Sequence, residues 1–208
     1  MVRKYLSKIY MGLIYLFLYA PILVLVVFSF NESKSRANWT GFSLKWYVEL
    51  FKDTDIRSAF YYTITIALIA AVVSTVLGTV AAIGINSLNG KIKSLLLNIN
   101  YLPVVNPDIV TGISLMILYI SFNVTFGFKT MLISHIVFNT PYVILSVMPK
   151  LKQLDANMTE AAMDLGATPM YALRKVIIPE IKPGIVNGFL MAFTMSIDDF
   201  IISYFTKG

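Results

Sequence analysis

Apolar residues fall into five long blocks, Ile9 to Phe30, Ser58 to Ile85, Ser94 to Phe122, Thr130 to Met148 and about Ile185 to Phe205, with polar segments between them. A helix of about 20 apolar residues crosses a hydrocarbon core roughly 30 Å thick. The pattern therefore predicts an all-α polytopic transmembrane helical bundle, a single domain over residues 1–208, with an outer loop at 31–57 and an inner loop at 150–184. The second block is rich in small residues, among them Ala70, Ala71, Ser74, Gly78, Ala81 and Ala82. Such residues let helix backbones approach closely in lipid, so this helix is expected inside the bundle. The third block is interrupted by Pro103, Asn106, Pro107 and Asp108, which predicts a broken helix facing protein or a water-filled cavity. Pro21 is expected to kink the first span, and Pro141 lies inside the fourth. Within the outer loop, Leu44, Tyr47, Val48 and Phe51 are spaced as on one helix face, predicting a short helix at the interface.

The polar stretch Asn157 to Gly184 does not fit the spans around it. Asn157 followed by Glu160 has the form of a capping box. Met158, Ala161, Ala162 and Leu165 then share one helix face. Gly166 is placed to end that helix in the left-handed conformation. Thr168 and Pro169 suit the N-cap and first position of a second helix, expected to run to about Ile177 and stop before Pro179. Two short amphipathic helices joined at a glycine fit a groove on a partner, or equally a membrane surface.

Composition narrows the function. Of the 208 residues, 57% are hydrophobic and 13% charged, where an average soluble domain carries about 25% charged residues. The absence of cysteine excludes disulfides and thiol chemistry, and one histidine, His135, cannot form a histidine metal cluster. His135 is expected to be a hydrogen-bonded residue of the bundle. The net charge of +6 sits at the ends of the spans rather than in a nucleic-acid-binding patch. Arg3, Lys4, Lys8, Lys91, Lys93, Lys150, Lys152, Arg174, Lys175 and Lys182 fall on one side of the bundle. Lys34, Arg36, Lys45, Lys52, Arg57, Lys129 and Lys207 fall on the other, partly offset by Glu32, Glu49, Asp53 and Asp55. The positive-inside rule then puts the N-terminus in the cytoplasm. The first span is too long for a signal-peptide core and no cleavage site follows it. Asn31-Glu32-Ser33 and Asn38-Trp39-Thr40 match the glycosylation pattern, which recurs by chance.

Glu160-Ala161-Ala162, Gly166 and Val176-Ile177-Ile178-Pro179 have the spacing of the cytoplasmic signature of ATP-binding-cassette (ABC) importer permeases, with Val176 and Ile178 replacing the commonest residues conservatively. Asn106 to Leu115, Glu160 to Thr168 and Phe193 to Gly208 extend the similarity. The chain resembles the MetI-like permease family, and within it the PotC type of spermidine/putrescine importers. The resemblance implies a non-enzymatic membrane subunit that moves polyamines inward by alternating access. Its implied partners are a second permease subunit, two copies of an ATPase subunit, an extracytoplasmic polyamine-binding protein and the bacterial inner-membrane bilayer. Glu160, Ala161, Ala162, Gly166 and Pro179 would form the ATPase-coupling loop. No G-x-x-x-x-G-K-[ST] phosphate loop is present, so ATP and magnesium are expected in the partner and no cofactor in this chain.

Carboxylates within spans are functional candidates, since burying them in lipid is costly. Asp108, Asp198 and Asp199 are expected on the substrate pathway, with Asp198 and Asp199 about 100° apart on one helix. Ser196 lies on the Asp199 side and Thr194 on the Asp198 side. Trp46 is a further candidate, because an aromatic face attracts ammonium. The alternatives are that the aspartates cap broken helices or pair with cations of the other subunit, and that Trp46 is an interfacial anchor. At the level of function, the alternatives are import of another small solute, or a stand-alone ion-coupled transporter, which would leave the two-helix loop unexplained. PotC-type permeases have a sixth span, so the chain is expected to lack a final helix beyond Gly208.

Overall fold

The computed structural model of the chain describes residues 2–35, 37–155 and 157–208. Arg36, and the side chains of Arg3 and Lys4, lie outside what is described. The chain divides into two units, Met1–Phe60 and Tyr61–Gly208.

In the first unit, helix α1 (Val2–Phe28) carries Pro21 and exposes apolar side chains all round from Tyr5 to Val27. That pattern is stable only in lipid or deep in a core. The loop after it is organised by Asn31, which is fully buried. Its Nδ2 donates to the carbonyls of Ser35 and Asn38, and its Oδ1 accepts from the Thr40 amide. The Asn31 amide is thus consumed in closing the loop and is not free for glycosylation. Phe30 stacks on Phe42 at 5.3 Å and also packs on Tyr47. These contacts seat α2 (Lys45–Lys52), the short helix expected from the spacing of Leu44, Tyr47, Val48 and Phe51.

Helix α3 (Thr54–Ser87) starts four residues before the second apolar block. Asp53 explains the extension: its Oδ1 accepts the amides of Asp55 and Ile56, satisfying free donors of the first turn. In the second unit the small-residue face of α3 is buried, as expected, through Ala67, Ala70, Ala71, Ser74, Gly78 and Ala82. Gly78 meets α6 (Phe128–Gln153) so closely that an added Cβ would lie 2.6 Å from Val143 Cβ. Val143 also meets Gly188 of α9 (Ile178–Asp198), where an added Cβ would lie 3.1 Å from Val143 Cγ1. Ile144, Val147, Met148, Leu151, Ile181 and Ala192 continue this core.

The third block is two helices, α4 (Gly90–Val105) and α5 (Asp108–Ser121), bent by 103° at Asn106–Pro107. Proline biases the residue before it to extended backbone, and Asn106 has ψ 141°. Asn100 of α4 donates to the Pro141 carbonyl of α6.

The end of the chain departs from the sequence expectation twice. The helix begun at Pro169 does not stop before Pro179. Helix α8 (Pro169–Ala172) passes through a π-helical turn (Leu173–Ile177) straight into α9. Pro179 sits in the first turn of α9, and the Ile178 amide reaches back five residues to the Leu173 carbonyl. The widened turn accommodates a proline ring that would otherwise crowd the carbonyl four residues earlier. Conversely, the fifth apolar block is not one helix to Phe205. Helix α9 ends at Asp198, Asp199 is extended (ψ 110°), and α10 (Ile201–Thr206) follows. Helix α10 packs on α5, where Gly112 leaves room for Phe205 and Ile201.

Among the described residues, four helices, or five spans if the bent pair counts as one, are long and apolar enough to cross a membrane.

Candidate functional site

The break before α5 and the break after α9 open on one cavity of about 130 Å³, lined by Asp108, Phe138, Thr194, Met195, Asp198 and Asp199. All three intramembrane aspartates singled out from the sequence therefore come together. Asp108 is the first residue of α5, where the helix dipole favours an anion. Asp198 is the last residue of α9. Both side chains are exposed.

Asp199 differs, and the expectation of two aspartates 100° apart on a continuous helix is corrected. It lies beyond the end of α9. Its Oδ1 accepts the Ile202 amide at 3.1 Å and its Oδ2 the Ser203 amide at 3.0 Å. It thus caps α10, which is why the helix breaks here without proline or glycine. Ser196 does not line the cavity. It is buried behind it, with Oγ 2.7 Å from His135 Nδ1. The other ring nitrogen, Nε2, lies 2.9 Å from Ser203 Oγ and 3.7 Å from Asp199 Oδ2. Thr194 lines the cavity but gives its hydroxyl proton to the Leu190 carbonyl.

Trp46 belongs to the first unit. Its indole N–H donates to the Asn31 carbonyl at 3.0 Å, and Lys45 Nζ stands 5.2 Å from the ring centroid. One cation therefore already attends this aromatic face. Trp46 lines a separate cavity of about 460 Å³ with Leu25, Phe28, Ser29, Tyr47 and Leu50.

In the polar loop, α7 (Met158–Asp164) carries Glu160, Ala161 and Ala162. The capping box expected at Asn157 is absent: Asn157 is in helical conformation without a side-chain cap bond, and Asp155 Oδ1 accepts its amide instead. The C-terminal end is as expected. Gly166 has φ +87°, its amide bonds to the Met163 carbonyl and the Ala167 amide to that of Ala162, completing a left-handed cap. Thr168 accepts the Tyr171 amide, with Pro169 at the first helical position. Between α7 and α8 lies a cleft of about 480 Å³ lined by Ala162, Leu165, Gly166, Ala167, Thr168, Tyr171 and Val176. Leu165 stands at its mouth, 91% exposed.

Residues 74–208 match the family described as binding-protein-dependent transport system inner membrane component. The chain belongs to this family. Its full length aligns at 36% identity with the spermidine/putrescine transport system permease protein PotC of Haemophilus influenzae, covering 81% of that relative. The PotC of Escherichia coli K12 is equally similar, with 79% of its length covered. The putrescine transport system permease protein PotI of the same strain is 39% identical over 207 residues, 92% of this chain and 71% of that one. A transport component of the inner membrane, crossing it several times, accounts for the apolar helices. Membership also places the chain among subunits of a multi-component ABC transport system. The matched region holds the aspartate cavity and the α7–α8 cleft, and it excludes Trp46.

Phe138 and Met195 are cavity residues that the sequence did not single out. Phe138 is one helical turn beyond Ser134 on the buried face of α6, so the periodicity of that face pointed to it as core rather than lining.

Proposed function

We propose that this permease carries polyamine cations, spermidine or putrescine, into the cell, with the aspartate cavity on the route. The observation that carries the reading is the convergence of Asp108 and Asp198 beside the Phe138 ring. An ammonium leaving water needs negative charge to replace its hydration, and an aromatic face adds cation–π attraction. Two exposed carboxylates arriving from different helices suit a cargo with more than one ammonium and disfavour an anion. The names of the relatives point to the same cargo.

In this reading ATP is bound and split by two copies of a separate ATPase subunit. Helix α7 and Leu165 dock in a groove of that subunit, a second permease completes the pathway, and an extracytoplasmic binding protein delivers the polyamine. The N-terminus and residues 150–184 face the cytoplasm. Closure of the ATPases moves α7, Gly166 acts as the pivot, and the continuous helix from Pro169 to Asp198 carries the movement to the cavity. Trp46, in the outer loop, is left as a contact for cargo or binding protein.

Reconstitution of the complete complex tests this. Spermidine or putrescine should stimulate ATP hydrolysis, and Asp198→Asn should raise the concentration needed about tenfold or more, as expected for a lost hydrogen bond to a charged group. Stimulation by another solute, with none by polyamines, would reject the cargo.

A further inference from the structure

Behind the cavity, a single imidazole touches both sides of the α9–α10 break. His135 stands on α6 and is 2% exposed. It reaches Ser196 in the last turn of α9 through Nδ1 and Ser203 in the first turn of α10 through Nε2. The break falls at Asp199-Phe200, and the stretch Ile197 to Phe200 around it lacks the proline or glycine that usually interrupts a helix. Something must hold it open. One support is the Asp199 cap, which starts α10. The other is His135, which spans from one helix to the next and lies 3.7 Å from the capping carboxylate. Removing it need not unfold either helix. A serine hydroxyl can fall back on the carbonyl four residues earlier, as Thr194 does on Leu190. What is lost is the link between the helices, and with it the placement of Asp198 at the end of α9.

We propose that His135 is a positioning residue for cargo binding: by bridging Ser196 and Ser203 it keeps Asp199 as a helix cap and leaves Asp198, with Asp108, as the carboxylates presented to the cation. The proposal rests on the cavity being the cargo route. It separates three aspartates that look equivalent in the sequence into two that meet cargo and one that shapes the site.

The test uses the complete complex in proteoliposomes, with spermidine as the probe. His135→Ala should raise the spermidine concentration for half-maximal uptake about fivefold while leaving the maximal rate within about twofold, the size expected for one or two lost neutral hydrogen bonds. His135→Gln, which can reach only one hydroxyl, should fall between His135→Ala and the wild type. Ser196→Ala and Ser203→Ala should each raise the half-saturating concentration, and neither should add to His135→Ala, since all three remove one bridge. An unchanged half-saturating concentration in His135→Ala, or a fall confined to the maximal rate, overturns the proposal. So does full additivity with the serine variants. If His135→Ala does not assemble, the two serine variants decide the question alone, because wild-type half-saturation in both is incompatible with the bridge. Failure of the cargo reading looks different: the wild-type complex itself does not respond to spermidine, and the same series is then run with the solute that does stimulate it.

Discussion

Val143 meets two glycines, Gly78 on α3 and Gly188 on α9. In lipid the driving force for helix association is close packing rather than expulsion of water, so a single methyl matters. A Cβ at position 78 would sit 2.6 Å from Val143 Cβ, with the Thr140 carbonyl 3.1 Å away on the same side. Gly78→Ala should therefore lower stability by about 1–3 kcal/mol through overpacking. Thermal unfolding of the purified chain in detergent measures this, and Val143→Ala in the same chain should recover part of the loss. At this scale the sequence was informative about residue type and silent about partnership. Small residues on α3 announced close approach, and carboxylates within apolar blocks announced a site. Capping of a broken helix was one alternative for these aspartates, but nothing in Asp198-Asp199 told which carboxylate would be spent on the amides of Ile202 and Ser203, because that bond exists only once the helix has broken.

Among the elements, the loop between α6 and α9 shows where local signals suffice. Gly166 and Thr168-Pro169 shape the chain through hydrogen bonds to their immediate neighbours, and the end of α7 and start of α8 are legible for that reason. Gly166 has φ +87°, while an added Cβ would meet nothing within 4 Å. Its requirement is purely conformational. Gly166→Ala should cost about 1–2 kcal/mol of local backbone strain without any clash, loosening the pivot between α7 and α8. Co-purification with the ATPase partner should weaken, while the amount of this subunit in the membrane stays the same. The elements that were misjudged depend on longer reach. Pro179 reads as a stop, yet the π-helical turn before it takes up the ring and the helix continues. The bend at Asn106–Pro107 was legible because proline imposes it directly. The break at Asp199 was not, because its causes include His135, far away in sequence.

For the whole molecule, the apolar blocks fixed the architecture because lipid leaves so few solutions for a polypeptide backbone. Orientation rests on the distribution of lysine and arginine, and it has a direct consequence. Leu165 should face the cytoplasm. The chain contains no cysteine, so Leu165→Cys would give this subunit a single thiol on an exposed side chain. A membrane-impermeant maleimide should label it in inverted vesicles and leave it unlabelled in intact cells or right-side-out vesicles. Labelling from the outside would reverse the topology and remove the α7–α8 cleft from the reach of any cytoplasmic ATPase.

The unbroken run from Pro169 to Asp198, 30 residues long, joins the loop to the cavity. One residue added to or removed from α9 would turn everything beyond it by about 100°, swinging Asp198 off the cavity while leaving α7 untouched. Its length is therefore as constrained as its chemistry. In related chains the tally of residues between Gly166 and Asp198 should vary less than the residues themselves, and alignment gaps should gather in loops such as the one between α1 and α2.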